Sequence, residues 1–459
     1  MFITGLNMNS QSFISAGIIL IFVSILLVGL FLGLPLDNLL LLLTASLIFF
    51  IAFLKTDFAL VILIFSMLLS PEIRLGGITG REVVLRADDL ILLIVFFGWM
   101  ARVALNKELG IMKITPLNRP ILIYIFICIA ATLLGAVRGF LSIKNGMFYI
   151  LKYLEYFVLY FMVTNNLNDK RQVKMFVYLI LIVSLIISIY AWKQHFSGIE
   201  RVSAPFEGKA GEANTLGGYF ILIMSISLGL LLNSRSVMAN SFFMAVIFFA
   251  LPALLFTLSR GSWLGFIPAV IAMIFLSKKG KLLLLIGLVS ALLIAPVIIP
   301  NYVKARVKYT FDSGGTTYSV LGMKFKLEDS ASARVNTWLY SFGKWRQEPF
   351  IGYGVASPIP ILDNQYARVI VEVGLIGFLA FIWILRKLFV NVLMVYRKLS
   401  KDGFACGLSA GFLAGFIGLI VHAFGAETFI LLRIMEPFWF LAAIIMVLPE
   451  IYGQENGLN

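Results

Sequence analysis

Two arginines lie where the sequence could bind an anion. Arg201 precedes Asn214, which opens an apolar run together with two glycines, and the amides and dipole of a helix N-terminus favour a negative charge. Arg260 lies in the segment 259–263, which reads SRGSW and separates two apolar runs. Because a guanidinium binds phosphate through two N–H groups and keeps its charge, both arginines are candidates for holding a pyrophosphate.

Each of these segments also has a purely structural interpretation. The first fits an ordinary polar loop in which Asn214 caps the next helix. In the second, Arg260 could extend toward lipid headgroups beside the interfacial Trp263. Both interpretations stay open at this point.

A third segment combines aromatic and polar residues. It contains Arg334 and Trp338, then the tetrapeptide DNQY at 363–366, and Glu372 in the following apolar run. Aromatic rings beside polar groups suit sugars, which have apolar faces and many hydroxyls. We interpret the segment as part of a glycan site, with a lid that packs on the helices as the structural alternative.

These segments interrupt a very apolar chain. Of its 459 residues 61% are hydrophobic and 13% are charged, and the mean hydropathy is +0.99, whereas globular proteins are nearer half apolar and a quarter charged. This excludes a soluble enzyme, a disordered chain and a fibrous repeat. We predict an all-α polytopic membrane protein with about 12–14 transmembrane helices, forming a single domain over residues 1–459. The candidate spans are 12–34, 38–54, 57–71, 88–105, 120–137, 147–164, 172–192, 215–233, 238–257, 261–277, 281–300, 365–385, 403–423 and 427–448.

Basic residues predict the orientation of these spans. The net charge is +14, and Lys and Arg in short connections favour the cytoplasm. With the N-terminus inside, every cytoplasmic connection carries a basic residue, the C-terminus is also inside, and the loops 193–214 and 301–364 face outward. Arg201, Arg260 and Arg334 then lie on the outer side, where cytoplasmic anchoring does not explain them. We therefore expect an anionic ligand there and no nucleic acid.

The order of these motifs resembles the O-antigen ligase and polymerase superfamily over roughly residues 195–385. The resemblance rests on Arg201 with Asn214, on the SRGSW block, and on the train from Arg334 to Gly377. It implies a membrane glycosyltransferase with a fold similar to other enzymes that use lipid-linked donors (GT-C-like). Such an enzyme transfers a glycan from undecaprenyl pyrophosphate to an acceptor hydroxyl at the outer face of the bacterial inner membrane. The acceptor is lipid A–core in the ligases and another lipid-linked repeat unit in the polymerases.

The resemblance also implies roles for single residues. Arg201 and Arg260 match the arginines that hold the donor pyrophosphate. Arg334 matches a further basic residue of the outer loop and would bind the donor with them, and Asn214 would assist there. Trp338, Asn364, Tyr366 and Glu372 fall in the acceptor segment.

One position departs from the ligase pattern. Ligases similar to this chain have a histidine before the Asn of the loop motif, where this sequence has Asp363. We predict Asp363 as the catalytic base, because a carboxylate can accept the proton of an attacking hydroxyl. Lesser candidates are Glu207, Glu372, Glu427, His195 and His422. This substitution favours a polymerase over a ligase, and attack in line with the leaving group would invert the anomeric centre.

Asp88 and Asp89 could belong to a metal site. They resemble half of the acidic motif by which other lipid-donor glycosyltransferases hold a divalent cation. The same pair would also suit the N-terminus of a helix, where the dipole favours carboxylates. We favour the helix cap and expect neither a metal nor another cofactor.

Two other classes of protein remain to be considered. A flippase for a lipid-linked sugar would also need many helices and a basic cavity, but its charged residues should lie near the membrane midplane. The sequence predicts Arg260 near the surface, which favours a transferase. A purely structural membrane protein would leave the outer arginines unexplained.

Overall fold

The structure is a computed structural model. It describes residues 22–24, 26–28, 31, 33, 35–78, 81–105, 112–207, 212–277, 280–298, 304, 317–320, 323–326, 329–359 and 363–454. Most of the first predicted span, 12–34, therefore lies outside the described residues. Helices make up 81% of the structure, which confirms the predicted all-α class.

The helices follow the apolar runs of the sequence. In chain order they are α1 (Leu36–Leu54), α2 (Thr56–Leu69), α3 (Ala87–Leu105), α4 (Asn118–Val137), α5 (Ile143–Asn166), α6 (Lys170–Phe196), α7 (Ala213–Asn233), α8 (Val237–Phe256), α9 (Arg260–Leu276), α10 (Lys281–Ile298), α11 (Asp329–Gln347), α12 (Gln365–Lys398), α13 (Gly403–His422) and α14 (Leu432–Gln454).

Nine helices of the described part of the chain are long and apolar enough to cross a membrane. They are α1, α4, α5, α6, α7, α8, α12, α13 and α14. Among the others, α2 and α9 are apolar but shorter, and α3 carries two aspartates in its first turn. The chain is therefore a multi-pass membrane protein, as its composition predicted.

Two of the predicted connections contain regular structure. The segment between α2 and α3 forms an antiparallel hairpin of strands β1 (Glu72–Ile78) and β2 (Arg81–Arg86). The predicted loop 301–364 contains a second hairpin, β3 (Thr317–Val320) with β4 (Met323–Lys326), followed by the amphipathic helix α11.

Close packing of α13 against α7 forms the centre of the bundle. Gly407, Gly411 and Gly415 recur every fourth residue along α13 and face the backbone of α7. A Cβ at Gly411 would lie 2.5 Å from the Cα of Ile226, so only glycine permits this approach. Small residues at such spacing are typical of membrane helices in close contact. The contact holds the ends of α7 and α13 together.

The helix α12 has a kink that attaches the outer loop. Gly374 has a φ of 64°, and a Cβ there would lie 2.3 Å from the carbonyl of Phe350. The amide groups of Leu375 and Ile376 bond to the carbonyls of Pro349 and Phe350 at 2.8 and 3.2 Å. Gly374 lies within the train from Arg334 to Gly377, and backbone packing explains why it has no side chain.

Candidate functional site

The turn between α8 and α9 brings two predicted site arginines together. Arg201 Nε donates to the carbonyl of Thr257 at 3.4 Å, and the amide of Val202 donates to the carbonyl of Phe256 at 3.3 Å. Arg260 begins α9 three residues after Thr257. Leu258 has a φ of 49°, a left-handed conformation that costs a non-glycine residue about 1–3 kcal/mol and is common at functional sites. Both arginines are thus attached to one sharp turn.

The first turn of α9 is capped by a serine and linked to α7. Ser259 Oγ accepts from the backbone amide of Ser262 and donates to Asn214 Oδ1 at 2.8 Å. Asn214 is the second residue of α7, so it does not cap that helix. Its side chain instead joins the start of α7 to the start of α9.

His422 continues this polar contact into the bundle. Its Nε2 lies 3.1 Å from Ser262 Oγ, and its Nδ1 lies 2.8 Å from Thr428 Oγ1. The residue ends α13 and its exposed fraction is 0%. The sequence predicted His422 near the outer end of this helix, and the structure joins it to the SRGSW segment.

Asp363 is the residue of the DNQY segment that faces an open space. Asn364 caps α12 by accepting from the amide of Ala367, Gln365 accepts from the amide of Phe429, and the Tyr366 hydroxyl donates to the carbonyl of Ile420. These three contacts attach the segment to the bundle. The side chain of Asp363 is 49% exposed and lies 3.2 Å from Arg334 Nη2.

Aromatic rings lie beside this carboxylate on the bundle surface. Trp338 stacks on Phe424 with ring centroids 6.2 Å apart and planes at 14°. Tyr366 contacts the same Phe424 ring from another side, at 4.6 Å between centroids. Trp338 and Phe424 are both exposed, so they present ring surface of the kind that sugars pack against.

Hydrogen bonds join the two halves of the site. The amide of Gln365 donates to the carbonyl of Ala423 at 3.1 Å and Asn364 Nδ2 donates to the carbonyl of Phe424 at 3.2 Å, so the DNQY segment lies beside the end of α13 where His422 contacts Ser262. Asn214, Arg260 and Asp363 therefore lie at the same end of the helix bundle. The positive-inside pattern predicts that this end faces outward.

Glu372 and Glu427 form ion pairs with an arginine that the sequence did not single out. Arg368 is buried in α12 and contacts Glu427, while its Nη1 lies 3.3 Å from Glu372. Glu372 also accepts from the amide of Ala356 at 3.2 Å. The structure thus surrounds Glu372 with donors inside the bundle, whereas Asp363 faces outward.

Glu207 lies in a buried clasp beneath the loop that carries Arg201. It lies 3.3 Å from Arg433 Nε and accepts from the amides of Ala204 and Glu212 at 3.2 and 3.0 Å. Burial raises the pKa of Glu207 from 4.5 to about 7, against the opposing charge of Arg433. The clasp fixes the loop 201–207 on the first turn of α14.

We expect Glu207→Gln to flatten the pH dependence of stability. The unfolded chain releases this proton near pH 4.5, whereas the folded chain retains it to about pH 7, so the folded state loses stability as pH rises between these values. Each tenfold change in the acidity constant corresponds to about 1.4 kcal/mol, so the free energy of unfolding should fall by about 3 kcal/mol. Thermal unfolding in detergent at about pH 5 and pH 7 measures it.

A matched control is Glu200→Gln, which changes an exposed residue of the same loop. It should retain the wild-type difference between the two pH values. An equal difference in Glu207→Gln and wild type would contradict the assignment to Glu207.

His195 lies at the other side of the arginine turn. Its ring stacks on Phe256 with centroids 3.8 Å apart and planes at 6°. It is the penultimate residue of α6, so it borders the loop that carries Arg201. The structure therefore places His195 against the end of α8, beside the turn to which Arg201 is attached.

Part of this site lies in a region that matches a known protein family. Residues 244–382 match the family described as O-Antigen ligase. The resemblance to the O-antigen ligase and polymerase superfamily is confirmed. No curated protein matches the chain. The O-antigen ligase match covers less than a third of the chain, including Arg260, Arg334 and Asp363, and it supports activity of the ligase or polymerase type.

A buried charge cluster lies outside the O-antigen ligase match. Asp88 and Asp89, in the first turn of α3, lie with Glu436 in a group whose oxygens are within 4.8 Å of one another. Arg86 contacts Asp88 and lies 3.2 Å from Glu436, and Lys152 contacts Asp89. Two cations of the protein therefore already contact the three carboxylates that could hold a metal ion.

The two aspartates also serve the helix terminus, as the sequence predicted in part. Asp89 Oδ2 accepts from the backbone amide of Arg86 at 2.7 Å, and Asp88 Oδ1 accepts from Ser70 Oγ at 2.8 Å. None of their partners, Arg86, Lys152 and Glu436, was predicted from the sequence. The available signal was an isolated charge inside an apolar run, which is rare without a partner.

Proposed function

We propose that the protein is a polysaccharide polymerase that transfers a glycan from undecaprenyl pyrophosphate to the hydroxyl of another lipid-linked repeat unit. The observation that carries the proposal is the attachment of Arg201 and Arg260 to one turn, at the end of the bundle where Asp363 is exposed. The O-antigen ligase match supports the class of reaction. The reaction would take place at the outer face of the bacterial inner membrane, with both termini in the cytoplasm.

The chemistry needs a held leaving group and a base. The acceptor oxygen attacks the anomeric carbon, the bond from that carbon to the pyrophosphate breaks, and the acceptor proton passes to Asp363. Arg201 and Arg260 balance the negative charge that grows on the departing pyrophosphate. Attack from the side opposite the leaving group inverts the anomeric centre.

Arg334 has a separate role in this mechanism. Its Nη2 lies 3.2 Å from Asp363 Oδ2, so it orients the carboxylate toward the acceptor. Trp338, Asn364 and Tyr366 shape the acceptor side through the contacts of Phe424. Asn214 lies on the donor side beside Ser259.

The proposal includes catalysis without a metal ion. The contacts of Arg86 and Lys152 with Asp88, Asp89 and Glu436 support it, because a divalent cation would have to displace two charged side chains. Activity that survives EDTA agrees with this part of the proposal. Activity abolished by EDTA and restored by Mg²⁺ or Mn²⁺ would contradict it.

The test uses purified protein in lipid nanodiscs with an undecaprenyl-pyrophosphate glycan, with and without lipid A–core. A polymerase forms a ladder of longer lipid-linked glycans without the core lipid, and Asp363→Asn should lower its formation by about 10²–10⁴-fold. A product formed only with lipid A–core would select the ligase instead. In liposomes, movement of the donor across the bilayer with no new glycosidic bond would select a flippase.

A further inference from the structure

We propose that His422 is a positioning residue that fixes the first turn of α9 through a buried chain of hydrogen bonds, and thereby orients Arg260 and the amide of Asn214. The chain runs from Thr428 through His422, Ser262 and Ser259 to Asn214. It rests on the proposed function insofar as Arg260 binds the donor. It assigns to His422 a role other than that of the catalytic base.

The acceptor oxygen of Asn214, at one end of the chain of hydrogen bonds, determines the direction of every hydrogen bond in it. Asn214 Oδ1 can only accept, so the Ser259 hydroxyl donates to it. Ser259 then accepts from the Ser262 hydroxyl at 2.7 Å. Ser262, having donated, accepts at 3.1 Å from His422, whose Nε2 must carry the proton.

The other ring nitrogen fits the same assignment. With the proton on Nε2, a neutral imidazole has an acceptor at Nδ1, which receives the hydroxyl of Thr428 at 2.8 Å. His422 is fully buried and both of its partners are hydroxyls, so the uncharged ring is the form that suits its surroundings. The chain therefore holds a single tautomer of His422.

Packing leaves the ring and Ser262 little freedom to move. A Cβ at Gly218 would lie 3.1 Å from His422 Cε1, and one at Gly265 would lie 3.1 Å from His422 Cβ. A Cβ at Gly217 would lie 2.1 Å from Ser262 Oγ. Glycines of α7 and α9 thus enclose both members of the chain.

These hydrogen bonds orient two groups of the site, the amide of Asn214 and the guanidinium of Arg260. Because Asn214 Oδ1 is engaged by Ser259, its amide NH₂ group points away from the chain. Arg260 directly follows Ser259, whose oxygen also caps α9. A displacement of Ser262 would therefore also displace Arg260 and the side chain of Asn214.

The first test observes the tautomer without using activity. The protein has two histidines, so the spectrum of His422→Gln, which lacks one set of ¹⁵N imidazole signals, assigns both sets. We expect the His422 signals of the full-length protein in lipid to show a protonated Nε2 and an unprotonated Nδ1, unchanged between about pH 6 and pH 8. A protonated Nδ1, or a ring that titrates in this range, would overturn the proposal.

The second test compares two conservative variants. Glutamine presents an amide NH₂ where His422 has Nε2, so His422→Gln should keep kcat/KM for the lipid donor within about threefold of wild type. Asparagine reaches only the position of Nδ1, and His422→Asn should lower that kcat/KM by about tenfold with the acceptor KM unchanged. If His422 were the base, His422→Gln would be inactive.

Further variants distinguish failure of this proposal from failure of the proposed function. Ser262→Ala breaks the next hydrogen bond, so His422→Asn with Ser262→Ala should be no slower than Ser262→Ala alone, and additive losses would contradict the chain. Arg260→Ala is measured in the same assay as a reference. Full activity of Arg260→Ala would contradict the donor site, while the tautomer of His422 would be judged from its ¹⁵N signals alone.

Discussion

Replacing Arg260 with alanine is expected to lower glycan transfer by about 10²–10³-fold, the usual effect of removing one group that stabilises transition-state charge. The pyrophosphate gains negative charge as it leaves, and Arg260 lies on the same turn as Arg201, the other cation assigned to it. The rate of ladder formation from the lipid-linked glycan measures the loss. Arg260→Lys should fall between alanine and wild type, because lysine keeps the charge but cannot bind in the bidentate manner.

Arg235→Ala provides the matched control for this prediction. Arg235 is exposed in the connection between α7 and α8, at the opposite end of these helices from Asn214 and Thr257. The control should retain full activity, and both variants should elute as the same monodisperse species as wild type. Equal activities of Arg260→Ala and Arg235→Ala would remove Arg260 from the donor site.

The largest effect on stability is expected from Lys152→Met. Lys152 contacts Asp89 and lies 3.5 Å from Glu155, and its side chain is buried within α5. Removing the ammonium leaves the carboxylates without one of the two cations of their cluster. Breaking a buried ion pair from one side costs about 3–5 kcal/mol, which thermal unfolding of the purified protein should detect.

Lys144→Met is the control, because it makes the same change at an exposed position of the same helix. It should unfold at nearly the wild-type temperature. Adding Asp89→Asn to Lys152→Met should restore part of the lost stability, since the unpaired charge is then removed. If Lys152→Met were as stable as Lys144→Met, the cluster would not contribute as its contacts imply.

The membrane helices could be predicted because a span needs about 20 apolar residues, a signal visible in any one run. The β1–β2 hairpin and the kink at Gly374 could not, because both depend on hydrogen bonds between main-chain groups. Glycines mark both places in the sequence, but they do not show which main-chain groups will pair. Gly374 shows the consequence: it lies in the train of motifs that ends at Gly377, but the packing of segment 349–354 accounts for it.

The residues of the candidate site could be predicted from the sequence, but the contacts between them could not. Arg201 and Arg260 stood out as cations beside apolar runs, yet only the folded loop shows that Arg201 bonds to Thr257, three residues before Arg260. His422 carried no sequence signal for its contact with Ser262, which lies 160 residues away. Lys152 was visible as a charge in an apolar run, but its partner Asp89 is 63 residues distant. Partners across the chain follow from tertiary packing alone.

The backbone pairing of segment 349–354 with the kink of α12 joins two stretches that are separated in the sequence. A Cβ at Gly352 would lie 2.6 Å from the amide nitrogen of Gly374, and one at Gly374 would lie 2.3 Å from the carbonyl of Phe350, so a side chain at either glycine would disturb the pairing. Residues 357–363 lie between them, and the bonds that secure both flanks, such as Gly354 to Glu372, join main-chain groups. These bonds do not depend on side-chain identity. Substitution of Asp363 is therefore expected to leave this main-chain pairing intact.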